Sequence, residues 1–324
     1  MRTAKAKLKS FDEFDYAAIV VMSPHPDDSA LACGGLLNKL RENRPKDVRI
    51  SIFGATTGFR GVDDADLKLA RKQAREGLAE WQQLDPRSCA NEQSLLKAVK
   101  KKLGKGFASY GEKDDLAFRN MLKAALRFRE IRAEGRALHL NPDRDVRFLA
   151  YSNLYNRRIT LGELRDLHRN LVDAAVPGKK NLLLVPHPDD PQPAHQVVTE
   201  ASIRALGTEV DWDVWYYQSP WFTINPALVD VIISLNEADI GEKKNAVSKH
   251  GTQTKRTPYV DYAQAQARLL ADVLPELVLG FGCKGVNAFG NYCEIYQKRL
   301  PRFYSDGETT GVAVYSDDPL DFST

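Results

Sequence analysis

Two five-residue stretches hold most of the chemistry that the residue types and spacings of this chain can offer. Residues 24–28 read PHPDD, residues 186–190 read PHPDD again, and the chain has only six histidines. In the first stretch His25 and Asp28 offer one nitrogen and one oxygen ligand three residues apart, with Asp27 between them. A catalytic zinc site takes about three protein ligands and keeps one position open for water. The metal lowers the pKa of that water, a nearby carboxylate takes its proton, and the hydroxide attacks a polarised carbonyl. Asp27 has the type and the place for the carboxylate. The same residues also read as local structure, since Asp27, Asp28 and Ser29 are good N-caps and His-Pro-Asp is turn chemistry. From this one motif the two readings stand level. Gly34 and Gly35 tilt them toward function, because glycines weaken a helix unless something must approach closely.

The elements around the motifs must place them. AAIVVM (17–22) and NLLLV (181–185) are short apolar runs that read as buried strands, each ending at a PHPDD. Helices are expected through ALACGGLLNKLREN, from about residue 64 to 84, and through GELRDLHRNLVDAAV, HQVVTEASIRALG, KKNAVSKH and YAQAQARLLADVL. VRISIFGA (48–55), VRFLAY (146–151), DVWYYQ and DVIISL read as further strands, and LVLGFG follows the last helix. This alternation predicts an α/β fold, a mostly parallel sheet with helices on both faces, as one domain over 1–324. In such a sheet ligands bind at the carboxyl ends of the strands. Residues 86–145 read as a helical insertion, with Leu116, Met121, Leu122, Ala125, Leu126 and Phe128 at helical spacing and a basic face. A packed helical hairpin with that face in water is favoured over a lid for an anionic partner or sugar. WYYQSPWF (215–222) is favoured as core over a sugar platform. The tail, 301–324, has no strong pattern.

Composition narrows the partners. A net charge of +3, from 46 basic and 43 acidic residues, gives no argument for nucleic acid or a membrane surface. No apolar run is long enough to span a bilayer, and the N-terminus lacks the apolar stretch of a secretory signal. Cys33, Cys89, Cys283 and Cys293 have no CxxC spacing and read as reduced thiols. A cytoplasmic protein with a small-molecule or glycan substrate is expected. The oligomeric state is not legible.

A strand, a PHPDD loop and a helix carrying a Gly-Gly pair resemble the opening of the PIG-L/LmbE-like zinc deacetylases. TTGFRG (56–61) is similar to that family's T-x-G turn, KKNAVSKHGTQ (243–253) to its late K-x-x-A…H-x-x-Q segment, and GNYCEIYQ (290–297) to its closing segment, with Glu294 in the acidic place. The resemblance covers roughly 15–85 and 146–300. It implies a Rossmann-like, LmbE-like fold, Zn2+ as cofactor, His25 and Asp28 as ligands and Asp27 as general base. The family usually has Glu where this chain has Ser29. The third ligand it implies falls on His195, in the stretch Asp190-Pro191-Gln192-Pro193-Ala194-His195. Where the family has a His–Asp pair, this chain has Gln192 and Ala194. Gln192 could donate to an oxyanion but could not supply a proton.

His187 is therefore expected to reach into the site as the acid, with His250 as the other candidate and a possible substrate contact. Arg60 and Arg71 could meet substrate oxygens. A rival assignment makes His187 the third ligand and His195 a solvent residue at a helix start. His139 and His168 are expected at the surface without a role. The expected activity is hydrolysis of an N-acyl, foremost N-acetyl, group on an amino sugar. The alternative is a non-hydrolytic, metal-retaining carbohydrate-binding or regulatory relative, which Gln192 and Ala194 motivate and Asp27 argues against. A nucleotide-binding protein would need a G-x-G-x-x-G after the first strand, and none is there.

Overall fold

The computed structural model describes residues 7–8, 14–43, 48–151, 154, 158–279, 291–298 and 320–321. In chain order the N-terminal part holds β1 (Lys7–Leu8), β2 (Ala18–Ser23), α1 (Asp28–Asn43), β3 (Arg49–Gly54), α2 (Asp64–Leu69) and α3 (Arg71–Trp81). Next come α4 (Glu92–Leu103), α5 (Asp114–Ala137), β4 (Val146–Phe148), β5 (Arg158–Ile159), α6 (Leu161–Ala174), β6 (Asn181–Pro186) and α7 (Pro193–Arg204). The remainder is β7 (Trp212–Tyr217), β8 (Val231–Leu235), α8 (Glu237–Ser248), α9 (Gly251–Thr254), α10 (Tyr259–Leu279), β9 (Tyr292–Lys298) and β10 (Leu320–Asp321). The helix expected over 64–84 is two helices, broken at Ala70. α10 takes in the first half of LVLGFG, and the rest of that segment lies outside the described residues.

Eight strands form one sheet in the order β1-β8-β9-β7-β6-β2-β3-β4. All neighbours are parallel except β9, which runs antiparallel to both β7 and β8. β2 lies between β3 and β6, with Ile19 opposite Ile50 and Leu182. The chain builds outward from β2 through β3 and β4, then returns to build the other way through β6 and β7. That reversal makes the gap beyond the ends of β2 and β6 the topological switch point, where open α/β sheets bind ligands.

The sheet is covered on both faces, as its sequence pattern predicts. Ile19 and Val21 of β2 join a core with α1 and α8, whereas Val20 and Met22 join one with α6 and α7. Period-two alternation with both sides apolar is what a buried parallel strand requires. A third core joins Leu67 and Leu78, from α2 and α3, to Leu95, Val99, Met121, Leu122 and Ala125 of the 86–145 segment. Thus α4 and α5 share their apolar faces with the helices that follow β3; Leu116 is exposed. Within the tail, β10 pairs with β5.

Candidate active site

Both PHPDD loops lie at the switch point because β2 and β6 are hydrogen-bonded neighbours that end side by side. After β2 the chain turns sharply, with the Asp28 amide donating to the His25 carbonyl, and α1 begins at Asp28. After β6 the second loop runs into α7, which carries Pro193 in its first turn and His195 on its buried face. Residues 170 apart in sequence are thereby brought into contact.

Three donor atoms converge. His195 Nε2 lies 3.2 Å from Asp28 Oδ2, His25 Nδ1 lies 3.3 Å from the same oxygen, and the two histidine nitrogens are 3.3 Å apart. Metal–ligand bonds of about 2.0–2.1 Å at tetrahedral angles separate donor atoms by about 3.3 Å, so the triangle has the size a zinc-like ion needs. A second layer orients it. Asp190 Oδ2 sits 2.8 Å from His195 Nδ1, so a proton there leaves the Nε2 lone pair facing the other two donors. The Asp190 Oδ1 atom accepts the Gln192 amide. Burial alone would lower the His195 pKa, but Asp28 and Asp190 more than offset it and push it up to about 10. Burial would raise Asp28 in turn, yet His195 and His25 hold its carboxyl well below the usual carboxylate range. The proton that Asp28 and Asp190 hold on His195 is one that a divalent cation would displace, and the three donor atoms lie within 4.8 Å of one another, so the group fits a metal.

The triad opens onto a cleft of about 310 Å³ lined by His25, Asp27, Asp28, Arg60, Arg127, Gln192, Trp221, Gln253 and Tyr259, with Gly58 and Gly61. Asp27 is nearly buried and its Oδ1 accepts a 2.7 Å hydrogen bond from Arg127 Nη2. Gly58 of the T-x-G turn has a φ of +63°, and a Cβ there would stand 2.8 Å from Pro26 Cδ and 3.0 Å from Arg127 Nε. Only glycine meets both demands at low cost. The close approach expected at Gly34 and Gly35 is also present, since a Cβ on Gly35 would lie 2.4 Å from Leu235 Cδ1 and one on Gly34 3.1 Å from Lys243 Cγ. Beside them the Glu294 carboxylate accepts from the Gly35 and Leu36 amides, both at 2.9 Å, from Lys243 Nζ at 2.6 Å and from the Tyr296 hydroxyl at 2.9 Å.

Of the residues singled out in the sequence, His25, Asp27, Asp28, Arg60 and Gln192 line the cleft, and the fully buried His195 meets His25 and Asp28. Three others are not brought there. His187 Nε2 meets Gln297 Oε1 at 2.9 Å, its Nδ1 accepts the Asp189 amide, and its ring stacks on Phe222, so it does not reach into the site as an acid. It is not in the donor triad either, which corrects the rival assignment. Arg71 makes a two-point pair with Glu92 on the surface, at 2.5 and 2.7 Å. His250 is fully buried, with its Nε2 2.8 Å from Glu134 Oε2, and supports the site from behind instead of touching its cleft. His168 pairs with Glu209 at 2.9 Å, a surface contact of the kind expected.

Arg127, Trp221, Gln253 and Tyr259 are the cleft residues that sequence reasoning missed as site residues. Trp221 belongs to the aromatic stretch expected to be core. Trp215 and Tyr217 are core, but Trp221 stays 44% exposed at the rim, edge-on to His195. Tyr259 opens α10, and burial, then the Asp27 charge, pushes its pKa up, so its hydroxyl stays a donor. Gln253 was visible as the last letter of the H-x-x-Q match.

With that geometry in hand, residues 20–206 match the family model PIG-L, described as GlcNAc-PI de-N-acetylase. The chain belongs to the PIG-L family. Its deacetylase family membership agrees with the converged donor triad and with the α/β sheet. A curated relative, a putative glucosamine-6-phosphate deaminase-like protein of Bacteroides thetaiotaomicron, is 22% identical over 256 residues, 75% of this chain and 36% of its own length. The chain therefore spans about a third of that relative. Among solved structures, the 4-carboxy-2-hydroxymuconate hydratase GalB of Pseudomonas putida aligns with a TM-score of 0.55 at 14% identity, covering 88% of this chain and 97% of that one. The N,N'-diacetylchitobiose deacetylase of Pyrococcus horikoshii aligns at 0.52 with 15% identity, covering 90% and 94%. At these identities the two structures share the PIG-L chain's fold. No helix among the described residues is long and apolar enough to cross a membrane.

Proposed function

We propose that this chain is a zinc-dependent deacetylase that hydrolyses the N-acetyl group of an amino sugar or amino-sugar conjugate. The observation that carries the reading is the triangle of His25 Nδ1, Asp28 Oδ2 and His195 Nε2, two of whose residues line a cleft that also holds Asp27. When bound, zinc would supply Lewis acidity to the amide carbonyl and to an attacking water. Asp27, its Oδ1 held by Arg127, takes the proton of that water on Oδ2. The Gln192 side-chain amide and the Tyr259 hydroxyl line the same cleft and donate to the oxygen that gains negative charge. Gln192 has no proton to give the leaving amine, and the ring nitrogens of His187 are engaged elsewhere. Asp27 therefore returns the proton that it took. Trp221 at the rim offers an apolar face to a sugar ring, and Arg60 offers a cation to its oxygens.

Support for the substrate class comes from the family description and from the chitobiose deacetylase among the structural relatives. The test combines elemental analysis with acetate release from N-acetylglucosamine and N,N'-diacetylchitobiose. We expect about one zinc per chain, almost none in His195→Ala, and acetate release that disappears in Asp27→Asn while its zinc remains. A wild-type chain that binds zinc but releases no acetate would favour the non-hydrolytic relative, which the replacement of a His–Asp pair by Gln192 and Ala194 motivates. A chain that takes up no zinc would end the reading.

A further inference from the structure

One face of α5 carries three charged side chains whose partners outside the helix lie around the first PHPDD and at the start of α9. Arg127, Glu130 and Glu134 follow each other at i, i+3 and i+7, the spacing that aligns side chains along a helix. The Arg127 side chain is 1% exposed. Its Nη2 donates to Asp27 Oδ1 at 2.7 Å and its Nη1 to Glu130 Oε2 at 2.6 Å and Thr252 Oγ1 at 3.3 Å. Glu130 is tied in turn to the Thr252 amide at 2.7 Å and to its hydroxyl at 2.9 Å. Two turns along, Glu134 accepts from Ser29 Oγ at 2.6 Å and meets His250 Nε2 at 2.8 Å, and all three residues are fully buried.

We propose that α5 is a working part of the catalytic centre, with Arg127 as the positioning residue for the Asp27 carboxylate and Glu134 as the anchor of the first turn of α1 through Ser29. A buried guanidinium is costly unless its partners are fixed, and here Glu130 and Thr252 hold Nη1 while Nη2 meets Asp27. The planar fork, held at Nη1, then favours one orientation of the Asp27 carboxylate. One residue past Asp28, Ser29 and His250 are joined through the two carboxylate oxygens of Glu134. The end of the loop and the first turn of α1 are thus clamped on both sides of Asp28 by groups about 100 residues away in sequence.

For Arg127 the inference rests on the deacetylase reading, so the experiment has one arm that needs activity and two that do not. In the first, Arg127→Gln and Arg127→Lys are assayed for acetate release from N-acetylglucosamine. Loss of a charge-assisted contact to the base should lower kcat about 10- to 100-fold in Arg127→Gln, and less in Arg127→Lys, with KM within about twofold. Cobalt-loaded Arg127→Gln should keep the wild-type stoichiometry and visible spectrum, since Arg127 touches no ligand of the triad. An unchanged kcat, a raised KM alone, or lost cobalt would each overturn the positioning role. The second arm follows melting temperature. Asp27→Asn and Arg127→Gln should each lower it, and the double variant by less than the sum, because removing both charges leaves neither buried alone. The third arm moves a carboxylate across the contact. Ser29→Glu and Glu134→Ser should each destabilise the protein, and the double variant should recover most of the loss. Strict additivity in either cycle overturns the corresponding clamp. A wild type that releases no acetate would defeat the deacetylase reading, while the two stability cycles would still decide the inference.

Discussion

One oxygen atom, Asp28 Oδ2, is the hub of the site. It accepts the His25 amide at 2.7 Å and faces both imidazoles. The residue that sets how His195 presents itself is Asp190, one step behind, whose carboxylate meets its Nδ1. Changing Asp190 to Asn should weaken zinc binding about 10- to 100-fold, measured by competition with a chelating dye, because an amide group can present its NH2 to the ring and hold the wrong tautomer. An unchanged affinity would mean that packing alone orients His195. At this scale the first PHPDD was legible in the sequence, because its ligand, base and cap residues are consecutive. The meaning of the second was only half legible. His187 looked free to act, since nothing in the sequence says that Gln297 and Phe222 will take its ring. Arg127 was hidden for a related reason, being one of many arginines on a helix whose basic face reads as solvated.

Elements decide how firmly those residues are held. The turn after β3 must pass between Pro26 and Arg127, and Gly58 is what lets it. Gly58→Ala should cost about 2 kcal/mol or more in a urea titration, from the left-handed backbone and the clash together. A loss under half of that would show that Pro26 yields easily. Behind α1, Lys243 and Glu294 form an ion pair in which the side chains are 2% and 4% exposed. Lys243→Met would strand the carboxylate and should cost about 3–5 kcal/mol, part of which Lys243→Met/Glu294→Gln should recover. No recovery would mean that the lysine stem and not its charge is what matters. The parallel strands and their helices were readable from alternating apolar runs. The direction of β9 was not, because strand periodicity is the same for parallel and antiparallel neighbours. The break at Ala70 was also hidden, since both flanking segments are good helix formers.

The whole molecule couples metal and stability. The donor triad joins loops from the two directions of chain build-up in the sheet, so a bound ion would favour the folded chain over the unfolded one. At free zinc 100-fold above its dissociation constant the gain should be about 2.7 kcal/mol. Chelation should therefore lower the melting temperature, zinc should restore it, and His195→Ala should show no such shift. A wild type indifferent to chelation would mean that zinc does not discriminate the folded state. At this scale the fold class was the most legible property, because β–α alternation leaves few topologies for a mostly parallel sheet. The place of α5 was less so. Its apolar positions announced a packed helix, but the core they join includes Leu67 and Leu78 from another part of the chain.

The Glu294 clamp on the Gly35 and Leu36 amides has a consequence for synthesis on the ribosome. The helix that begins with Asp28 is made well before the carboxylate that pins it, which lies 259 residues beyond Gly35. A nascent chain exposes His25 and Asp28 long before His195, and has all three before α1 is locked to the sheet. Metal captured during translation would therefore meet a loose half-site, and a finished centre waits for the segment that carries Glu294.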